Sequence, residues 1–287
     1  MHKYRELRAC RVCGGTHLIG VLDLGHQFLT GVFPRSASHD VTQGPLQLVW
    51  CSQCRLVQLR HSYNPTEMYG ANYGYRSGLN QSMVDHLTRA VHGLERRVEL
   101  HAGDVVLDIG SNDATLLKAY STTDLRRLGI DPAGEKFRER YPAGIRLLPE
   151  FFSATAYRKA ESHSARIVTS FAMFYDLEAP IDFARQVAEV LAGDGIWQFE
   201  QSYMPAMLRT NSYDTICHEH LPVIDWLLEQ EERMGLNTPR PYRDFEERVF
   251  RHGQDLVRLI QALTADGNTV LGYGASTKGN VLLQFWE

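Results

Sequence analysis

The chain has 287 residues, 44% of them hydrophobic, and a formal net charge of −4. That length buries a substantial core and divides into two or three domains, while the charge balance offers no bulk attraction to nucleic acid. The first residues lead into no apolar signal segment and no apolar run reaches transmembrane length, so a cytoplasmic protein with no membrane partner is expected.

Four of the five cysteines form two C-x-x-C pairs, Cys10/Cys13 and Cys51/Cys54, with 37 residues (14 to 50) between them; Cys217 stands alone. This is not a disulfide framework. Four thiolates make a closed tetrahedral zinc site with no open position for water, so the expected metal is structural. A redox C-x-x-C pair and ordinary buried cysteines are the rivals. Between the pairs, Val21–Gly25 and Leu46–Trp50 read as strands, and after the second pair Leu56–Leu59 reads as another. Met68–Gly78, rich in tyrosine and glycine, suits neither a core helix nor a core strand. It is read either as a loop presenting phenol hydroxyls to a ligand or as surface packing.

From Ser82 onward, Met83, Leu87, Val91, Leu94 and Val98 trace one buried helix face. The chain is then organised around Val105–Asp113: an apolar run, Asp108, Gly110, then Ser111, Asn112 and Asp113 before a helical pattern. This is how a first strand enters a first helix in an open α/β sheet, with ligands at the carboxyl ends of the strands. Gly110 allows close backbone approach, and Asp113 is expected to open the helix as an N-terminal acid. Asn112 stands where a dinucleotide binder has its second glycine, which argues against a pyrophosphate and for a nucleoside-bearing ligand such as S-adenosylmethionine. Leu125–Ile130 leads to Asp131, 23 residues past Asp108. An acid there can hold ribose hydroxyls, or can simply cap the next helix, for which Pro132 suits the first position. Strands at 166–170 and 196–200, with a helix at 181–192 between them, predict a parallel doubly wound sheet.

In the last third, Asn211–Leu221, containing Cys217-His218-Glu219-His220, is the densest acid–base cluster. It is not the H-E-x-x-H of a zinc protease. An imidazole beside a carboxylate can accept a proton near neutral pH; a solvated polar turn is the plainer alternative. Phe245, Val249, Leu256, Leu259, Ile260 and Leu263 mark an amphipathic helix or helix pair. Asn268–Asn280, containing G-Y-G-A-S-T-K-G-N, repeats a strand, glycine turn and helix whose amides and Lys278 could meet phosphates, or which could be a purely structural turn.

Taken together, C-R-V-C, C-S-Q-C around V-L-D-L-G, Y-G-Y-R-S-G, V-L-D-I-G-S-N-D, G-I-D-P, F-Y-D-L-E, F-E-Q-S-Y-M-P, N-S-Y-D-T-I-C-H-E-H-L and G-Y-G-A-S-T-K-G-N resemble the zinc-containing nucleotide-diphosphate-sugar C-methyltransferases of antibiotic deoxysugar biosynthesis. The resemblance runs nearly the whole chain. It implies an N-terminal zinc-binding β domain (1–75), a Rossmann-like S-adenosylmethionine domain (76–205) and a shortened Rossmann-like C-terminal substrate domain (206–287). It puts the methyl donor against Asp108, Gly110, Ser111, Asn112 and Asp131. It makes His220 the base, with Glu219 beside it and Tyr75, with Tyr73 as the alternative, near a nucleotide-diphosphate keto-sugar. Cys10, Cys13, Cys51 and Cys54 would hold the zinc. Three features depart from the family. Leu221 runs directly into Pro222–Trp226 without an Asn- and Gly-rich segment, the family continues beyond the position of Glu287, and Ala114 replaces a glycine. The donor pocket is therefore expected to be intact and the acceptor pocket reduced. Methylation of another acceptor, or donor binding without catalysis, are the alternative functions.

Overall fold

The computed structural model describes residues 4–30, 32, 36, 40–69, 73–201, 204–213, 216, 222–223, 234–271 and 277–286. Packing divides the chain into two compact units, Tyr69–Gln201 and Met1–Met68 with Ser202–Glu287. The segments expected as first and third domains thus share one unit, while the middle segment stands as its own.

The unit formed by residues 69–201 is a five-stranded parallel sheet. Its strands are β6 (Val105–Ile109), β7 (Arg126–Ile130), β8 (Ile145–Leu148), β9 (Ala165–Ser170) and β10 (Leu191–Phe199), in the order β10-β9-β6-β7-β8. Counted along the chain, the first strand lies in the middle, the second and third run to one side, and the fourth and fifth to the other. This is the doubly wound order, with its switch point between β6 and β9. All five residues of β6 are buried, which is why it reads as one apolar run instead of an alternation. Helix α2 (Gln81–Glu95) covers the sheet with Leu87, Val91 and Leu94, joined in one core by Val98, Val106, Leu117 and Ile167. Asn80 caps α2 by accepting from the Ser82 amide. Helix α5 (Pro180–Val190) starts on a proline and buries Phe183, Val187 and Val190. Strand β8 and helix α4 (Ala154–Ala160) complete the winding and carry weaker sequence patterns.

In the other unit, β2 (Leu18–Phe28), β3 (Gln43–Cys51), β4 (Val57–Leu59) and β11 (Pro222–Val223) form an antiparallel sheet in the order β11-β4-β3-β2. A small ribbon pairs β1 (Tyr4–Glu6) with β5 (His61–Tyr63). Val21, Leu22, Leu46, Leu48, Trp50 and Leu59 pack with residues from the end of the chain. Helix α7 (Arg240–Ala265) contributes Tyr242, Phe245 and Val249, with the Tyr242 ring 6.1 Å from Trp50, and α8 (Thr277–Phe285) contributes Val281. Polar ties add to this: the Gln284 side chain accepts from the Phe28 amide at 2.5 Å, and Asn280 donates to the Thr30 carbonyl at 3.2 Å. The absent side chain of Gly253 leaves the surface on which the Trp286 indole lies. The amphipathic stripe of α7 is buried only in its first half, since Leu259, Ile260 and Leu263 are exposed. Residues 268–271, expected as a strand, join no ladder, and Val270 and Leu271 are exposed. No helix among the described residues is long and apolar enough to cross a membrane.

Candidate functional site: a turn at the sheet switch point and a four-cysteine cluster

Strand β6 ends at the switch point, and the turn after it is built by backbone that few side chains tolerate. Gly110 has φ +79°, Asn112 +48° and Ala114 +63°. A Cβ on Gly110 would lie 3.2 Å from the Met173 side chain, which comes from the loop after β9. The loops after the two switch-point strands therefore touch here, and glycine is needed for both reasons. Ala114 pays the left-handed strain that a glycine would avoid, at the position where the family resemblance expects one.

Asp108, Gly110, Ser111, Asn112 and Asp131 do come together. Asp108 pairs in register with Gly129 on one side and Thr169 on the other. The Thr169 hydroxyl donates to its Oδ1 at 2.7 Å. Burial pushes the Asp108 carboxyl up to about 7, against the pull of that hydrogen bond, and the nearby Asp131 adds to the rise. Asp131 is equally committed: its Oδ2 accepts the Asn112 amide and its Oδ1 the Ala133 amide, both at 2.7 Å. It is thus the cap of the short helix Pro132–Arg140, as the plainer reading had it, and also the strut of the turn after β6. Burial raises its carboxyl as well. The Ser111 hydroxyl meets the Tyr141 hydroxyl at 2.8 Å, in space that Gly129 leaves open.

Asp113 does not open the helix as expected. Ala114 precedes α3 (Thr115–Lys118), and the Asp113 carboxylate instead takes the Thr115 hydroxyl at 2.5 Å and the Gly78 amide at 3.1 Å. With Asn112 Oδ1 accepting the Ser77 amide at 2.9 Å and Asn112 Nδ2 donating to the Tyr75 carbonyl at 3.3 Å, the turn clamps the Tyr75–Gly78 segment. A Cβ on Gly78 would meet Asp113 at 2.6 Å, which is why that segment ends in glycine. Tyr75 is thereby held beside the turn after β6. Burial, then the Asp113 and Glu200 charges, push its phenol up, against a hydrogen bond from Ser77.

At the carboxyl end of β10, Glu200 lies beside His86 of α2, with Oε2 and Nε2 2.6 Å apart. The Glu200 amide bonds the Ser170 carbonyl at the end of β9, and Phe171 meets the His86 ring edge-on at 6.2 Å. This pair was missed in the sequence. Glu200 occupies the same strand-end position as Asp108 and Asp131 and could have been singled out by that rule. His86 sits 114 positions earlier on a helix and carries no local signal. His220 and Glu219 lie outside the described residues, as do Gly272–Ser276.

The raised Asp108 makes a testable statement about stability. Below about pH 4 the carboxyl is protonated in both folded and unfolded chains and contributes nothing. Between about 4 and 7 the unfolded chain has lost a proton that the fold retains, so stability falls by about 1.4 kcal/mol per unit as pH rises, and above 7 the penalty is complete. Asp108→Asn should therefore gain on the wild type across that window in urea unfolding measured from pH 4 to 8. Parallel curves would mean that the buried group is ionised throughout.

In the other unit, Cys10, Cys13, Cys51 and Cys54 converge, with all four sulfurs within 4.8 Å of one another. Cys10 and Cys54 are 3.5 Å apart, Cys13 and Cys51 3.6 Å. A tetrahedron with Zn–S bonds of about 2.3 Å has edges of about 3.8 Å, so the cluster fits zinc. Burial pushes the Cys10 and Cys54 thiols up, whereas the Gly15 amide draws Cys13 down to about 7. Zinc binds thiolates and not thiols, so metal binding to such a cluster releases protons.

Comparison with known proteins fits this layout. Residues 10–69 match a family model described as "Putative zinc binding domain", and residues 208–287 match one described as "C-methyltransferase C-terminal domain". C-methyltransferase NovU of Streptomyces niveus is 28% identical over 329 aligned positions, covering 97% of this chain and 78% of the relative. The alignment is longer than the chain, so parts of NovU have no counterpart here. Among solved structures, a complex of the Haloferax volcanii Trm112 methyltransferase activator with a methyltransferase overlaps 58% of this chain and 72% of its own at 18% identity (TM-score 0.41). Coclaurine N-methyltransferase, bound to N-methylheliamine and SAH, overlaps 75% and 66% at 10% identity (TM-score 0.37). The chain thus carries, in this order, a match to a zinc-binding domain and a match to a C-methyltransferase C-terminal domain, and it is similar over nearly its whole length to a C-methyltransferase.

Proposed function

We propose that the chain transfers the methyl group of S-adenosylmethionine to a carbon beside the ketone of a nucleotide-diphosphate keto-deoxysugar. The observation that carries the donor half is the strand-end pair Asp108 and Asp131 around the Gly110 bend at the switch point. A buried acid at the end of the second strand suits a ribose, and a bend free of Cβ suits close approach by an uncharged nucleoside. Asp131 spends one lone pair of each oxygen on the Asn112 and Ala133 amides and keeps others for hydroxyl donors.

The bound donor would supply an electrophilic methyl on sulfur. His220, with Glu219 next to it in sequence, is assigned the removal of the proton on the carbon beside the ketone. The electron pair left on that carbon forms the new bond to the methyl carbon, and the breaking C–S pair stays on sulfur. Tyr75, clamped beside the donor turn, orients the sugar, so most of the acceleration comes from positioning. The four-cysteine cluster takes no part in this step, because a closed site leaves no coordination position for the ketone. The resemblance to a C-methyltransferase at 28% identity supports carbon as the methylated atom.

The test is mass detection of one added methylene on a thymidine-diphosphate keto-deoxysugar, comparing wild type with His220→Ala. Methylation by the wild type and its loss in the variant are expected. Equal turnover would remove His220 from its role. Binding of S-adenosylhomocysteine without the sugar nucleotide would point to another acceptor, and binding of neither to a scaffold.

A further inference from the structure

The His86–Glu200 pair is not used by the reaction just described, yet it stands at the carboxyl ends of β9 and β10, where the doubly wound sheet takes its ligand. Both side chains are open to a ligand, at 44% and 41% exposure. An ionised Glu200 can only accept, so His86 Nε2 carries the proton between them, and in the neutral ring the other nitrogen, Nδ1, keeps its lone pair. No hydrogen bond to Nδ1 is present among the described residues. Phe171 meets the ring edge-on, so an imidazole, a carboxylate and an aromatic wall form one rim, and Tyr75 is near enough to feel the Glu200 charge.

We propose that this rim is the acceptor-hydroxyl subsite: His86 Nδ1 accepts a hydrogen bond from a sugar hydroxyl, and Glu200 is the positioning residue that fixes the ring in its Nε2–H form. The assignment rests on the keto-sugar reading above and deepens it. It requires an acceptor with a hydroxyl donor within reach of the methylated carbon, and it discriminates against an acceptor lacking that hydroxyl. A site built to bond a hydroxyl rejects the analogue without it far more strongly than an apolar pocket could.

The experiment is carbethoxylation of the full-length chain with diethyl pyrocarbonate, mapped residue by residue by mass spectrometry. Exposed His17, in the other unit, serves as the internal reference. With S-adenosylhomocysteine and thymidine-diphosphate glucose present, labelling of His86 should slow about fivefold or more relative to His17. Calorimetry on the same samples records whether the sugar nucleotide binds. Binding without protection of His86 overturns the subsite and leaves the keto-sugar reading standing; absence of binding overturns both. For Glu200, the readout is the imidazole ¹⁵N spectrum. The wild type should show His86 as the Nε2–H tautomer, and Glu200→Ala should lose that preference with unchanged circular dichroism; a wild-type ring protonated at Nδ1 overturns its role. In turnover, His86→Ala should raise the acceptor KM about tenfold and leave the donor KM within about twofold. Equal rises in both would instead mark a structural residue.

Discussion

Cys51→Ser should strip the chain of zinc and unfold the sheet around the cluster. Cys51 is fully buried at the end of β3, its sulfur 3.6 Å from Cys13, and it packs with Cys10 and Leu56. Binding of a structural zinc by four thiolates contributes on the order of 10 kcal/mol, comparable to the whole stability of a domain. A hydroxyl holds zinc poorly, so the variant should retain under about a tenth of the metal found in wild type. The sheet β2-β3-β4 also carries the α7 and α8 contacts through Trp50 and Phe28, so the loss should reach beyond the knuckles to the whole unit. Metal content by inductively coupled plasma spectrometry and thermal unfolding followed by circular dichroism check this. Full zinc retention with an unchanged midpoint would mean that the cysteines are not the ligands. Chelator treatment of the wild type should reproduce the effect and added zinc should reverse it.

Asp131→Ala should weaken donor binding and destabilise the fold together. Its two oxygens hold the amides of Asn112 and Ala133, both in buried surroundings. Each buried amide left without a partner costs about 1–3 kcal/mol, so the variant should lose on the order of 3 kcal/mol. Without its strut, Asn112 is freed from the φ of +48° that the turn requires, and the clamp on Tyr75–Gly78 loosens with it. On the proposed function, S-adenosylhomocysteine should then bind at least about tenfold more weakly by calorimetry. Asp131→Asn separates the two effects. Its side-chain oxygen can serve one amide only, so stability should fall by about half as much. A donor affinity in Asp131→Ala equal to wild type would place the ribose elsewhere.

Much of this molecule was legible before any coordinates, because it depends on neighbours along the chain. Val105–Ile109 is buried on both faces and so appears as an unbroken apolar run, and Gly110 follows it because the turn needs a left-handed residue. The α2 stripe and the two C-x-x-C pairs are likewise local spacings that few folds explain. Asp113 was misjudged for a related reason. An acid before a helical pattern looks like a cap, but Ala114 takes the left-handed conformation and turns the carboxylate toward Gly78, 35 positions earlier.

Sequence by itself determined the strand-and-turn grammar of the central sheet and the ligand set of the cysteine cluster, since chain periodicity and thiol spacing are properties of short stretches. Tertiary structure decided the rest. It gave Asp131 the Asn112 amide to hold, closed the Tyr75 segment onto the turn after β6, seated the end of the chain on the N-terminal sheet, and brought Glu200 to His86. Each of these joins residues far apart along the chain, and such partners are chosen by how a sheet winds and which surfaces bury one another, which no local pattern encodes.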